Sequence, residues 1–341
     1  MNVVFRVDSS AQMGLGHLMR CLALAYELEQ KGHNITFICR ELEGNFIKMI
    51  VYKVIVLSIN NSFRSEDLYL DWLGAEQEED AEQTIRVLPN HTKYLIVDSY
   101  SLDRRWHQKL RPYVEKILVI DDLADRQFDC DLLLNQNLMV QKKDYKDIVP
   151  SSCKLLLGCD YALLRPEFQN LREKALKKRK LTKKVKNILI SFGGSDVDNL
   201  TYDILKKINK DFNIVVILGL SSPHNKMVQK YAQDKNIEVI INTDNMSDLM
   251  LDADLAIGSS GSTSWERCCL GLPALLFIVG ADQEKISYNL DVLGAAKVVK
   301  DLEVDLNNIS SNITLWKDMS SKAANICDGS GSSKVAKLCL L

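Results

Sequence analysis

The feature that most restricts how this 341-residue chain can fold is a repeated alternation: short, near-continuous runs of Val, Ile and Leu separated by stretches of helical spacing. Such runs occur at Val3 to Val7, Ile35 to Cys39, Val54 to Leu57, Tyr94 to Val97, Ile117 to Ile120 and Leu132 to Leu134. Strands that are apolar on both faces belong in a parallel sheet covered by helices on each side. The segment after His17 sets Leu18, Cys21, Leu22, Ala25 and Leu28 on one side and stops at Lys31-Gly32, as an amphipathic crossover helix would. A second series starts at Ile188 to Phe192 and continues through Ile214 to Leu218, Val239 to Ile241, Leu255 to Ile257 and Leu275 to Val279. The length exceeds what one hydrophobic core usually organises, so the expected fold is α/β with two Rossmann-like domains; if these face each other across a cleft, a ligand could sit between them. The basic stretch Arg172 to Lys186 has few core-forming residues and reads as a solvated helix end plus linker. It places the domains at 1–178 and 186–341, with the last helix free to pack back on the first domain.

Composition excludes several function classes. The formal net charge of -2 gives no general attraction to nucleic acid or to anionic membranes. The chain opens directly on a strand, and no apolar run nears the roughly 20 residues that span a bilayer. The expectation is a soluble cytoplasmic protein without a nucleic-acid, membrane or obligate protein partner. Nine cysteines are scattered without a Cys-x-x-Cys pair, which reads as reduced, mostly buried thiols. Asp129-Cys130-Asp131, Asp196-Val197-Asp198 and Asp252-Ala253-Asp254 each fit a loose Asp-x-Asp cation pattern. Three matches in an acid-rich chain show how unspecific that pattern is, and no metal or other cofactor is expected.

Chemistry is expected where strands end in glycine-bearing loops, because glycine lets a ligand approach the backbone and a following helix start offers unpaired N–H groups. The first such turn runs from Asp8 through Gly14-Leu15-Gly16 to His17. Imidazole is the side chain most easily neutral near pH 7, so His17 is the candidate general base. The second, Ser191-Phe192-Gly193-Gly194-Ser195-Asp196, is a further close-approach loop. The third, Gly258-Ser259-Ser260-Gly261-Ser262-Thr263-Ser264-Trp265-Glu266, has the small hydroxyl residues that wrap a diphosphate, with Glu266 one turn on to reach ribose. A plain Ser/Thr helix cap is the alternative for that turn. Asp98-Ser99-Tyr100 and Asp121-Asp122 end first-half strands, where a carboxylate can orient His17 or hold a sugar. His33, His91, His107 and His224 lie in turns or polar helix contexts and read as surface residues.

Taken in order, Phe5 to Ser10, Gly14 to Cys21, Leu42 to Asn45, Val97 to Tyr100, Ile120 to Asp122, Leu132 to Asn137, Gly158 to Phe168, Ser191 to Asp196 and Ser259 to Glu266 resemble a known family. It is the UDP-2,4-diacetamido-2,4,6-trideoxy-β-L-altropyranose hydrolases of pseudaminic acid biosynthesis. The resemblance implies a glycosyltransferase-B-like fold, a UDP-sugar as substrate and UDP as product, water attack at the anomeric carbon with C–O cleavage and inversion, and no metal. It maps the general base onto His17. It implies a substrate-binding set of Asp8, Ser9, Gly14, Gly16, Arg20, Asp98, Tyr100, Asn135 and Arg165 in the first half. In the second half the set is Gly193, Gly194, Met246, Ser259, Ser260, Gly261, Ser262, Thr263, Glu266 and Asn289, with uracil near Asn242 to Met246. A glycosyltransferase using the same donor for surface polysaccharide and a silent nucleotide-sugar-binding protein are the competing readings.

Overall fold

The structure is a computed structural model. It describes residues 1–339 apart from 60, 61, 195, 209, 210, 221, 234 and 236, and for 281 and 282 only the backbone. The chain divides into two compact units, Met1–Arg165 together with Ser330–Leu341, and Pro166–Gly329.

The first unit runs β1 (Asn2–Val7), α1 (Gly16–Glu29), β2 (Asn34–Arg40), β3 (Lys53–Leu57), α2 (Leu68–Leu73), α3 (Gln77–Val87), β4 (Thr92–Asp98), α4 (Arg104–Leu110), β5 (Val114–Ile120), β6 (Leu132–Asn135) and β7 (Lys154–Leu157). The second contains α5 (Pro166–Leu181), β8 (Asn187–Ser191), α6 (Leu200–Lys207), β9 (Asn213–Leu218), α7 (Asn225–Gln233), β10 (Glu238–Ile241), α8 (Met246–Asp252) and β11 (Leu255–Ser259). It continues with α9 (Thr263–Cys269), β12 (Ala274–Phe277), α10 (Ala281–Val292), β13 (Ala296–Val298), α11 (Leu302–Ser311) and α12 (Ile313–Ala324), after which α13 (Gly331–Leu338) belongs to the first unit again. The sheets order their strands β3-β2-β1-β4-β5-β6-β7 and β10-β9-β8-β11-β12-β13, and neighbouring strands pair in parallel.

Burial on both faces explains the continuous apolar strands. In β1, Val3, Phe5 and Val7 join α1 residues Leu18, Cys21 and Leu24 in one core cluster, while Val4 joins Trp106 and Leu110 of α4 in another. This is the period-2 alternation of a strand sandwiched between helix layers. Val335, Ala336 and Cys339, in and just after α13, complete the cluster on the α1 side. A Cβ at Gly331 would lie 2.2 Å from the Ala162 carbonyl oxygen, so only glycine lets α13 enter there.

The expected boundary at 178 to 186 is corrected. The division falls at Arg165/Pro166, and the basic stretch is the C-terminal part of α5, a helix of the second unit that begins on its proline, together with the short connection 182–186 to β8. Its cations are not simply solvated. Lys178 Nζ donates to Leu251 O at 2.9 Å and Arg179 Nη2 to Met250 O at 2.8 Å, both among the last carbonyls of α8. Arg172 Nη2 reaches Ala324 O at 2.7 Å at the end of α12. Carbonyls orphaned at helix C-termini are natural acceptors for basic side chains. Two further expectations fail: His33 and His107 are buried rather than on the surface.

Candidate active site

In a parallel sheet, ligands bind beyond the carboxyl ends of the strands, where the strand order reverses. The first sheet reverses between β1 and β4 and the second between β8 and β11. Four loops lie there: Asp8 to Leu15, the turn after Asp98, the Phe192 to Asp196 turn and the Ser260 to Ser262 turn.

In the first unit this rule brings His17, in the first turn of α1, to Asp98, the last residue of β4. His17 Nδ1 lies 2.6 Å from Asp98 Oδ1. A carboxylate at that distance accepts, so Nδ1 carries the proton and the lone pair of the imidazole is on Nε2. Nε2 has no protein partner among the described residues. Asp98 is fixed in turn by Arg20, whose Nε donates to Oδ2 at 2.6 Å and Nη2 to Oδ1 at 2.7 Å. Burial pushes the Asp98 carboxyl up, but Arg20 and His17 outweigh it and hold the group well below the usual carboxylate range. The third Arg20 nitrogen, Nη1, donates to Asp122 Oδ2 at 2.6 Å, and Tyr100 Oη donates to the same oxygen at 2.9 Å. Burial, followed by the Asp122 charge, raises the Tyr100 phenol, so it stays a donor. Its ring stands edge-on to the His17 ring, centroids 4.6 Å apart, and Tyr69 packs edge-on beyond it.

The glycines of this turn leave room. Gly14 has φ +72°, and a Cβ built on either Gly14 or Gly16 would meet nothing within 4 Å. Asp8, Ser9 and Asn135, by contrast, hydrogen-bond within the protein. Asp8 Oδ1 accepts from Arg6 Nη1 and from the Arg40 amide, each at 2.7 Å. Ser9 Oγ accepts from the Phe46 amide at 3.1 Å, and Asn135 Nδ2 donates to Tyr145 Oη at 2.8 Å. All three are nearly solvent-free. Arg6, Arg40, Asp8 and Asp80 form one buried ionic network that ties the ends of β1 and β2 to α3. Arg165 is the last residue of the first unit before the chain passes into α5.

The corresponding edge of the second sheet is built from backbone. Gly193 has φ +82° with open space where a Cβ would stand, and Gly261 also borders open space. Gly194 packs its carbonyl against Gly219, where a Cβ would be 1.9 Å away. Ser195 lies outside the described residues. Ser260 Oγ, expected at the ligand, donates to Gln283 O at 3.1 Å and lies 2.5 Å from Ser287 Oγ, which seats the loop on α10. Ser259, Ser262, Thr263 and Glu266 are half-buried, as are Met246, which begins α8, and Asn289 on α10. Among the described residues the N–H groups of Ser260, Ser262 and Thr263 have no protein acceptor. The Asp-x-Asp carboxylates serve elsewhere: Asp196 receives the Leu200 and Thr201 amides, Asp254 the Lys186 and Asn187 amides, and Asp129 and Asp131 the Arg111 guanidinium.

Over 266 residues the chain is 35% identical to the UDP-2,4-diacetamido-2,4,6-trideoxy-beta-L-altropyranose hydrolase of Campylobacter jejuni, covering 77% of this chain and 86% of the relative. The chain belongs to the family of that hydrolase. The glycosyltransferase family 28 C-terminal domain matches residues 167–338, close to the bounds of the second unit. The spore coat polysaccharide biosynthesis protein SpsG of Bacillus subtilis is 26% identical over 338 residues, covering 94% of this chain and 88% of that one. Among solved structures, MurG of Acinetobacter baumannii superposes with a TM-score of 0.64 at 15% identity, covering 99% of both chains. The glycosyltransferase WaaG superposes with a TM-score of 0.54. The fold is glycosyltransferase-B-like.

Two participants in this hydrolase-family chain escape the sequence-derived set. Asp122 joins Arg20, Tyr100 and Asn137 Nδ2, the last at 3.1 Å, and its position at a strand end was the signal for it. Arg267 sits behind the Ser260 to Ser262 turn. Its signal was a lone cation in the otherwise apolar Cys268-Cys269-Leu270 neighbourhood. No described helix is long and apolar enough to cross a membrane.

Proposed function

We propose that this protein hydrolyses UDP-2,4-diacetamido-2,4,6-trideoxy-β-L-altropyranose to the free sugar and UDP, a step of pseudaminic acid biosynthesis. The observation that carries the reading is the His17 imidazole, protonated on Nδ1 toward Asp98 and unpartnered on Nε2, in a chain 35% identical to a hydrolase of that substrate. Nε2 takes a proton from water as the oxygen bonds to the anomeric carbon. The bond from that carbon to the phosphate oxygen breaks, its electron pair leaves with UDP, and attack opposite the leaving group inverts the centre. Asp98 faces the imidazolium that forms and stabilises it. UDP is a good leaving group, so a base matters more than an acid.

In this reading the second unit holds the nucleotide. The N–H groups of Ser262 and Thr263 receive the diphosphate, Glu266 the ribose and the backbone at 242–246 the uracil. Incubation with the UDP-sugar in oxygen-18 water tests it. UDP release without any acceptor, with label in the sugar and none in UDP, is the expected result. A second reading, transfer of the sugar to an acceptor hydroxyl, draws support from the family 28 match and from the Bacillus relative. UDP release only after addition of a sugar or lipid acceptor decides for transfer.

A further inference from the structure

We propose that Cys130 and Cys153 form a thiol–disulfide modification site, closed by a low-molecular-weight disulfide such as glutathione disulfide and reopened by thiols, that ties the edge strand β7 covalently to the first sheet. The site is remote from His17 and independent of the reaction proposed above. The two cysteines lie just before β6 and β7, at the amino ends of the strands, whereas Asp98 and His17 lie at the carboxyl ends.

Eight of the nine cysteines are buried, and burial pushes the thiols of Cys21, Cys39, Cys268, Cys269 and Cys339 up, away from the reactive thiolate. Cys153 is half-buried, next to the exposed Ser151 and Ser152. Its Sγ lies 3.6 Å from that of Cys130, which is 2% exposed. Of two thiols in contact, the less solvated keeps its proton, because its anion is the costlier one to form. Cys130 therefore donates to Cys153, a hydrogen bond that holds the Cys153 thiol below the ordinary range and raises that of Cys130. A half-exposed nucleophilic sulfur backed by a buried thiol in contact with it is the arrangement of an attacking and a resolving cysteine.

The backbone on both sides of the contact is fixed. Arg111 Nη2 donates to Asp129 O at 3.0 Å and to Asp129 Oδ1 at 2.8 Å, and its Nη1 donates to Asp131 Oδ2 at 2.5 Å, so the residues flanking Cys130 share one guanidinium. Opposite them, the Cys153 N–H donates to Pro150 O and the Lys154 N–H to Asp131 O, each at 2.9 Å. A disulfide needs an S–S distance of about 2.05 Å, so the sulfurs approach by about 1.5 Å, within reach of rotation of the Cys153 side chain. The strand β7 has four residues and pairs with β6 alone, so a bridge to the segment entering β6 doubles its attachment. The bridged residues stand 23 positions apart, and linking them also restricts the unfolded chain.

The Cys153 thiolate attacks one sulfur of glutathione disulfide. That S–S bond breaks, the first glutathione leaves as a thiolate that takes up the proton lost by Cys153, and a mixed disulfide remains on Cys153. Cys130 then attacks the Cys153 sulfur and passes its proton to the second glutathione as it leaves. Two protein thiols are oxidised by two electrons, and one glutathione disulfide is reduced to two glutathiones.

The test incubates the reduced, folded full chain with glutathione disulfide in native buffer, then alkylates, digests and maps it by mass spectrometry. Loss of two of the nine thiols, a cross-link between the Cys130 and Cys153 peptides and its reversal by dithiothreitol are expected. The oxidised protein should melt about 5 °C higher than the reduced one. Cys130→Ser should stop at glutathionylated Cys153, and Cys153→Ser should leave Cys130 unmodified. Nine thiols still free, a bridge between other cysteines, an unresolved mixed disulfide on wild-type Cys153, or an oxidised protein that melts no higher than the reduced one overturns the proposal. The wild-type map and melt decide even where a serine variant fails to fold.

Discussion

The reversal points of the two sheets occupy equivalent topological positions and are furnished in opposite ways. At the β1/β4 edge nearly every charge is buried and paired: Asp98, Arg20 and Asp122 form a closed chain that leaves His17 Nε2 without a protein partner among the described residues. At the β8/β11 edge the described residues offer glycines bordering open space and amides without a protein acceptor. A base needs a fixed tautomer and direction, which a paired network gives. An anion site needs donors and positive potential left unspent, which pairing would destroy.

The comparison is broken most directly at His17. His17→Asn is expected to lower hydrolytic turnover at least about a hundredfold while UDP affinity stays at the wild-type value. Near-wild-type turnover would remove His17 from the chemistry. Asp98→Asn acts one step back and is expected to cost about ten- to a hundredfold in turnover, the range for partners that orient an active imidazole. Because the folded Asp98 carboxyl lies below its ordinary 3.8, its contribution to stability is complete above that pH and is lost only as pH falls below it. Urea melts at pH 7 and pH 3 should therefore differ less in Asp98→Asn than in wild type.

At the other edge, Gly258→Ala forces a methyl to 2.0 Å from Ser191 O. We expect a loss of about 1–3 kcal/mol in stability together with weakened UDP binding, and a His17 environment unchanged by NMR. A variant with wild-type melting and UDP affinity would show that the close packing of β8 on β11 is not required. The smallest expected effect is away from both edges. His107, against Trp106 and Phe128, has neither ring nitrogen partnered and is pushed from 6.5 down to about 3 by burial and then by Arg126. The unfolded imidazole takes a proton first, so the native state loses stability as pH falls from about 6.5 toward 3 and keeps it in full above. His107→Leu should flatten the denaturation midpoint between pH 6 and pH 4 and leave turnover at pH 7.5 unchanged.

Much of this was readable from the chain. Long central strands announce themselves by apolar runs, and the Gly-Leu-Gly-His turn marked its histidine. β7 and β13, edge strands of four and three residues, are too short for periodicity to register. His107 was misread because Arg104, Arg105, Gln108 and Lys109 surround it in sequence, although a helix places it on the face of Trp106 and Leu110. The α5 cations looked like a linker because their acceptors are helix-end carbonyls from segments far along the chain. Asp122 was marked by its strand-end position, while its pairing with Arg20, Tyr100 and Asn137 depends on long-range closure that no local pattern reports.

The return of α13 to the first unit has a consequence for biosynthesis. A ribosome making this chain delivers every strand of the first sheet early, yet α1 keeps part of its apolar face uncovered until residues 330–339 emerge. The second unit, contiguous from Pro166 to Gly329, has all its segments in hand before then. Order of synthesis and order of completion are thus reversed: the half bearing the histidine is begun first and finished last, and the nascent chain most exposed to proteolysis or chaperone capture is the one stalled just short of its final helix.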